Sequence, residues 1–72
     1  MLTLDYKLDQ DSLPVCIYRI VQLRSGEPYQ FYSGNTIIGC IDKVDNKWQQ
    51  VSGRETLDSI VESMGRFIEV NT

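Results

Sequence analysis

The chain has 72 residues, of which 42% are hydrophobic and 24% are charged, and these proportions argue for a folded domain against a disordered chain. At this length we expect one small domain spanning residues 1–72. Seven basic and ten acidic residues give a net charge of −3, and no two basic residues are adjacent. Duplex nucleic acid, which binds clustered cations, is therefore not an expected partner.

The first predicted element is a strand from Leu2 to Leu8, because apolar and polar residues alternate there with the period typical of a strand with one buried face. A polar turn over residues 9–12 follows, and Pro14 opens the next segment. The Asp-x-Asp spacing in this turn resembles the start of a calcium loop. The Gly and the final Glu of such a loop are absent, so we expect no calcium site.

Four further strands are predicted from apolar, β-branched and aromatic runs bounded by turn residues. They cover residues 15–23, 29–33, 36–44 and 47–51. Gly34-Asn35 and Asp45-Asn46 are two-residue hairpin loops, which force neighbouring strands to pair antiparallel. The strands should form a meander in the order 1-2-3-4-5.

The last predicted element is an amphipathic helix that begins at Ser52 and continues to about Glu69. Its apolar residues fall on one stripe: Leu57, Ile60, Val61, Met64, Phe67 and Ile68. Ser52-Gly53-Arg54-Glu55 fits a capping box. Gly65 leaves the alternative that the helix ends at Met64 and residues 67–70 form a strand, although tight packing over a strand would also explain this glycine. The predicted fold class is α+β, a five-stranded antiparallel β-meander with one C-terminal amphipathic helix packed on one face.

Pairing the strands through their loops gives a sheet that is apolar on both faces, of which one helix can cover only one. One face carries Cys16, Tyr18, Ile20, Tyr29, Phe31, Ile38, Cys40 and Val44. The other carries Val15, Ile17, Val21, Leu23, Tyr32, Ile37, Gly39, Ile41 and Trp48. We assign the helix to the second, more aliphatic face, where Gly39 would allow a close approach. A one-residue slip in any hairpin would exchange part of these sets.

The residue types that support catalysis or metal binding are scarce in this chain. It has no His, no C-x-x-C pair and no glycine-rich phosphate loop, so we expect no catalytic, cofactor-binding or metal-ligating residues. Cys16 and Cys40 are expected to be unpaired, buried thiols. The N-terminal sequence lacks the basic and apolar regions of a secretory leader, and no apolar run reaches 18 residues. We therefore expect a cytoplasmic protein that is not an enzyme and has no membrane partner.

The sheet face left open by the helix is the predicted functional surface. Its proposed interaction patch consists of Tyr18, Ile20, Tyr29, Phe31 and Ile38. A patch of this kind favours a small protein-interaction module that forms a homodimer or is covered by an unidentified protein partner. Pairing of an edge strand is another route to a dimer. The alternative function is a small-ligand or single-stranded nucleic-acid binder that uses the same aromatic residues for stacking. The net negative charge of the chain argues against this alternative.

Overall fold

The computed structural model describes residues 1–8 and 17–72 in full and Cys16 by its backbone. Within these residues the elements in chain order are β1 Leu2–Leu8, β2 Cys16–Gln22, β3 Tyr29–Ser33, β4 Thr36–Val44, β5 Lys47–Gly53 and α1 Asp58–Val70. The strands form one antiparallel sheet in the order β1-β2-β3-β4-β5, and α1 packs on it. The predicted α+β meander is confirmed. Four predictions lie outside the described residues: the turn over residues 9–12, the absence of a calcium loop there, the role of Pro14 and the start of a strand at Val15.

Both predicted two-residue hairpin loops are present, and backbone geometry explains their sequences. Asp45 and Asn46 have φ of 53° and 64°, and a type I′ turn requires positive φ at both positions. Gly34 has φ of 62°, which suits the first position of a type II′ turn. The flanking residues pair as predicted, Ser33 with Thr36 in one hairpin and 44 with 47 in the other.

A register irregularity in β4 overturns the predicted assignment of faces. Phe31 lies opposite Gly39, whereas its neighbour Tyr32 lies opposite Ile37, so Ile38 is an extra residue in β4. Because successive side chains of a strand point to opposite faces, one extra residue moves all later side chains to the other face. Ile41 therefore lies on the same face as Phe31, contrary to the prediction.

The helix packs on the sheet face that carries Phe31 and Ile41, and the core lies between this face and the helix. Six residues that are at most 2% exposed form it: Ile20, Phe31 and Ile41 from the sheet, and Val61, Met64 and Ile68 from α1. Around them lie half-buried apolar residues: Leu4, Tyr6, Tyr18, Tyr29, Ile38, Trp48, Ile60 and Phe67. The prediction that α1 covers the other face is wrong, because the extra residue in β4 gathers the largest apolar side chains here.

The helix begins six residues later than predicted, at Asp58 instead of Ser52. Ser52 and Gly53 instead extend β5 and pair with Cys40 and Gly39 of β4. No side chain caps the helix, and Leu57, predicted to be buried, is 68% exposed. The predicted capping box is therefore wrong, since its first residues belong to the sheet ladder.

At its other end α1 continues through Gly65 to Val70, as predicted. Gly65 is buried and lies directly against the indole ring of Trp48 on β5. Tight packing over a strand thus accounts for a glycine within the helix. With 13 residues, the described helix is too short and too polar to cross a membrane.

Candidate functional site

The five residues of the predicted interaction patch lie beneath α1. Ile20 and Phe31 are 0% exposed, and Tyr18, Tyr29 and Ile38 are half-buried against the same core. The ring of Tyr18 meets that of Phe31 edge to face at 5.9 Å between centroids. The ring of Tyr29 packs 5.8 Å from that of Trp48. The prediction that these residues form an open patch is therefore wrong, because they build the contact between sheet and helix.

The opposite side of the sheet, called the open face below, is not covered by any other described part of the chain. The strand pairings place these residues on it: Thr3, Asp5, Lys7, Ile17, Arg19, Val21, Gln30, Tyr32, Ile37, Cys40, Asp42, Val44, Lys47, Gln49 and Ser52. Several of its large apolar side chains are strongly exposed, with Ile17 at 60%, Ile37 at 48% and Val44 at 39%. Ile17 and Ile37 were predicted to lie under the helix, which is wrong.

An apolar stripe follows the three central strands of the open face. It consists of Ile17, Val21, Tyr32, Ile37 and Cys40. Tyr32 lies directly opposite Ile37, and directly opposed side chains on one sheet face stand about 5 Å apart. The Tyr32 hydroxyl donates a hydrogen bond of 2.8 Å to the Gln30 side chain, which lies on the same face of β3. A single exposed apolar residue is ordinary, whereas these five lie close together on one face, with Arg19 and Gln30 between them.

Charged residues of both signs lie beside the apolar stripe, and one of them, Arg19, lies within it opposite Tyr32. On β1 and β2 the Arg19 guanidinium and the Asp5 carboxylate form an ion pair of 3.4 Å, with both side chains more than 60% exposed. Asp42 and Lys47 lie on the opposite margin, on β4 and β5. An apolar centre with a polar margin is the usual anatomy of a protein–protein interface.

The open face contains one free thiol among its described side chains. Cys40 is unpaired, as predicted, and it is half-exposed instead of buried. The predicted state of Cys16 lies outside the described residues. No group of three or more His, Cys, Asp or Glu residues in the described part of the chain could hold a metal ion.

An ion pair on the covered face ties α1 to β4. The ammonium of Lys43 donates to the carboxylate of Glu69, and this hydrogen bond, more than any other cause, holds the pKa of Glu69 below its usual value. Glu69 is thus held in its ionised form, which suits a structural contact and not a general acid.

A second surface, called the β5 cleft below, lies along the outer edge of the sheet. This polar cleft of about 760 Å³ is lined by all of β5, by Glu55 and Thr56 in the connection that follows, and by Asp58 and Glu62 of α1. The Gln50 side chain shapes the connection. Its amide nitrogen donates to the carbonyls of Ser52, at 3.0 Å, and of Arg54, and its oxygen accepts from the Thr56 amide at 2.9 Å.

No protein-family model, curated protein or solved structure matches the chain. Of the apolar residues on the open face, Ile17, Val21, Tyr32 and Ile37 were predicted to lie under the helix, whereas Cys40 and Val44 were predicted on the face that the helix leaves free. Two consecutive β-branched residues, Ile37 and Ile38, beside a hairpin were the one local sign that the alternation is interrupted there.

Proposed function

We propose that the protein is a small non-catalytic interaction module that forms a homodimer through the open face of its sheet. The observation that carries this proposal is the apolar stripe, which α1 leaves uncovered. Soluble monomers rarely leave a large contiguous apolar patch in water. The absence of His from the chain supports a role that does not depend on catalysis.

A second copy is the partner that suits this surface best. A twofold contact lets one stripe cover the other, and two sheets packed face to face interdigitate their side chains in a layer about 10 Å thick. Each polar margin carries both signs of charge, with Asp5 and Lys7 on one side and Asp42 and Lys47 on the other. Copies can therefore meet in a twofold arrangement without net repulsion at the margins. A domain of 72 residues also has a small core, so covering more apolar surface would stabilise it.

The structure does not favour the alternative of a small-ligand or single-stranded nucleic-acid binder. Stacking needs accessible aromatic rings beside a positively charged groove. Tyr18, Tyr29 and Phe31 lie under α1, and Tyr32 is the aromatic residue that the pairings place on the open face. A cytoplasmic location stays a prediction from the sequence.

The homodimer is tested by measuring mass. Size exclusion coupled to light scattering, run from low to high micromolar concentration, should give the mass of two chains for the wild type. Ile37→Glu places a charge in the stripe at a position that is 48% exposed, so it should give a folded monomer. The matched control is Leu57→Glu, which changes an equally apolar residue, 68% exposed, outside the open face, and this variant should stay a dimer.

The reactivity of Cys40 gives a second measurement on the same samples. If the open face is the interface, alkylation of this thiol should slow as protein concentration rises, and peptide mass spectrometry separates it from Cys16. A wild-type mass of one chain at all concentrations would refute the dimer. A dimer that tolerates Ile37→Glu and leaves Cys40 reactive would exclude the open face.

A further inference from the structure

The β5 cleft lies at a free edge of the sheet and does not overlap the apolar stripe. Among the described residues β5 pairs with β4 alone, so the outer side of β5 has no ladder partner. Unpaired N–H and C=O groups on such an edge are a ready template for another extended chain.

Hairpin geometry identifies which backbone groups point outward. In a hairpin with a two-residue loop, the flanking residues exchange both hydrogen bonds, so Val44 and Lys47 form a hydrogen-bonded pair. Hydrogen-bonded and non-hydrogen-bonded pairs then alternate, which makes Asp42 and Gln49 the next hydrogen-bonded pair. Residues 48 and 50 of β5 therefore direct their N–H and C=O groups away from β4 and into the cleft.

The far wall of the cleft is acidic. Asp58 and Glu62 are one turn apart on the same face of α1, and Glu55 lies in the connection before them. All three are exposed, and one lining base, Lys47, opposes them. Glu62 also accepts a hydrogen bond of 2.6 Å from Arg66, yet its side chain remains 58% exposed. The lining residues thus carry an excess of two negative charges, three acids less one base.

We propose that the β5 cleft binds an extended basic peptide segment, which adds antiparallel to the sheet as a sixth strand. Residues of the segment opposite Trp48 and Gln50 would exchange main-chain hydrogen bonds with them. Their side chains would lie on the α1 side of the sheet, where Lys or Arg meets the acids of the wall. Residues between them would point to the side of the open face. A segment of roughly five residues fits, because Val51 is an extra residue that interrupts regular pairing beyond Gln50.

A second copy of this chain suits the β5 cleft less well than a basic segment. Joining two β5 edges would bring the acidic walls of both copies to the same side of one sheet. The irregularity at Val51 also bends the strand, a feature by which proteins discourage pairing of identical edges.

The probe is the peptide acetyl-Lys-Val-Lys-Val-Lys-amide, titrated into the full chain and followed by the fluorescence of Trp48, its one tryptophan. We expect saturable binding, and amide hydrogen exchange should slow at Trp48 and Gln50. The Gln49 amide, already bonded to β4, should change little. N-methylation of the Lys residues should abolish binding, because their N–H groups face β5, whereas N-methylation of the Val residues should leave it intact.

The contribution of the acidic residues of the cleft to peptide binding is tested with variants of Asp58 and Glu62. The double variant Asp58→Asn with Glu62→Gln should weaken binding roughly 3- to 10-fold, whereas Asp5→Asn, an acid removed from the open face, should leave it unchanged. The peptide with Glu in place of Lys should not bind. Ile37→Glu should bind the peptide normally, which separates this site from the dimer. The absence of saturable binding, equal binding by both N-methylated peptides, or protection elsewhere on the sheet would each overturn the proposal.

Discussion

Gly65 is the position where one methyl group tests the packing of α1 on the sheet. A Cβ atom built there would lie 2.1 Å from Cγ of Trp48 and 2.3 and 2.4 Å from its Cδ2 and Cδ1. Carbon atoms in good contact are ~3.5 Å apart, so the indole ring or the helix would have to move by more than about 1 Å. The ring has little room to do so, because Tyr29 packs 5.8 Å from its centroid.

Two effects of Gly65→Ala on the free energy of unfolding oppose each other. Alanine in a helix interior is more favourable than glycine by about 1 kcal/mol. Overpacking a well-filled contact costs about 1–3 kcal/mol, and a rigid ring met face on belongs at the upper end of that range. We therefore expect Gly65→Ala to lower the free energy of unfolding by about 1–2 kcal/mol.

Urea unfolding followed by circular dichroism measures this change. The control is Ser63→Ala in the same helix, which loses only a local bond of 2.8 Å from its hydroxyl to the Ser59 carbonyl and should shift stability by less than about 0.5 kcal/mol. In a Trp48→Leu background the ring is absent, and Gly65→Ala should become stabilising. Stabilisation by Gly65→Ala in the wild-type background would refute the contact and the placement of α1 over β5.

Three further predictions follow from the core, the sheet and the ion pair. Phe31→Glu places a charge at a site that is 0% exposed, so circular dichroism should show an unfolded chain. Gly39→Ala would put a Cβ atom 2.4 Å from the backbone oxygen of Ser52, which cannot move aside easily, and should lower the free energy of unfolding measured in urea by about 2 kcal/mol or more. Because the pKa of Glu69 is lowered by Lys43, its stabilisation is present above the unfolded pKa near 4.5 and is lost as pH falls through the folded value. The melting temperature of Glu69→Gln should accordingly fall less than that of the wild type as pH falls below 4.5. Equal falls in the two melting temperatures would contradict the ion pair.

The sequence predicted those parts of the fold that local chemistry determines. Asp45 and Asn46 tolerate the positive φ of a tight hairpin, so their position specified both a turn and its register. The apolar face of helix α1 was equally clear, since apolar residues recur with a period of 3.6 from Ile60 to Ile68. Both signals act within a few residues, so a single sequence is enough to reveal them.

The parts that sequence analysis missed depend on contacts between distant residues. Ser52 satisfies the pattern of a helix cap, but its pairing with Cys40 keeps it in the sheet, and the pattern alone cannot weigh the two. Ile38 looks like any strand residue, yet as an extra residue it reverses the faces of the rest of β4 and of β5 as far as Gln50. That one displacement moved the expected functional patch into the core and left the opposite face open.

The two proposed surfaces are compatible because one is a face of the sheet and the other is its β5 edge. Packing through the open face uses side chains that project perpendicular to the sheet, whereas addition of a strand uses main-chain groups in its plane. A face-to-face dimer would therefore leave both β5 edges free and bind one peptide per chain. Peptide affinity should then be the same for the wild type and for Ile37→Glu, at concentrations where only the first is dimeric. A difference in affinity would indicate that dimer formation reshapes the β5 edge, most directly through Lys47, Gln49 and Ser52, which belong to both surfaces.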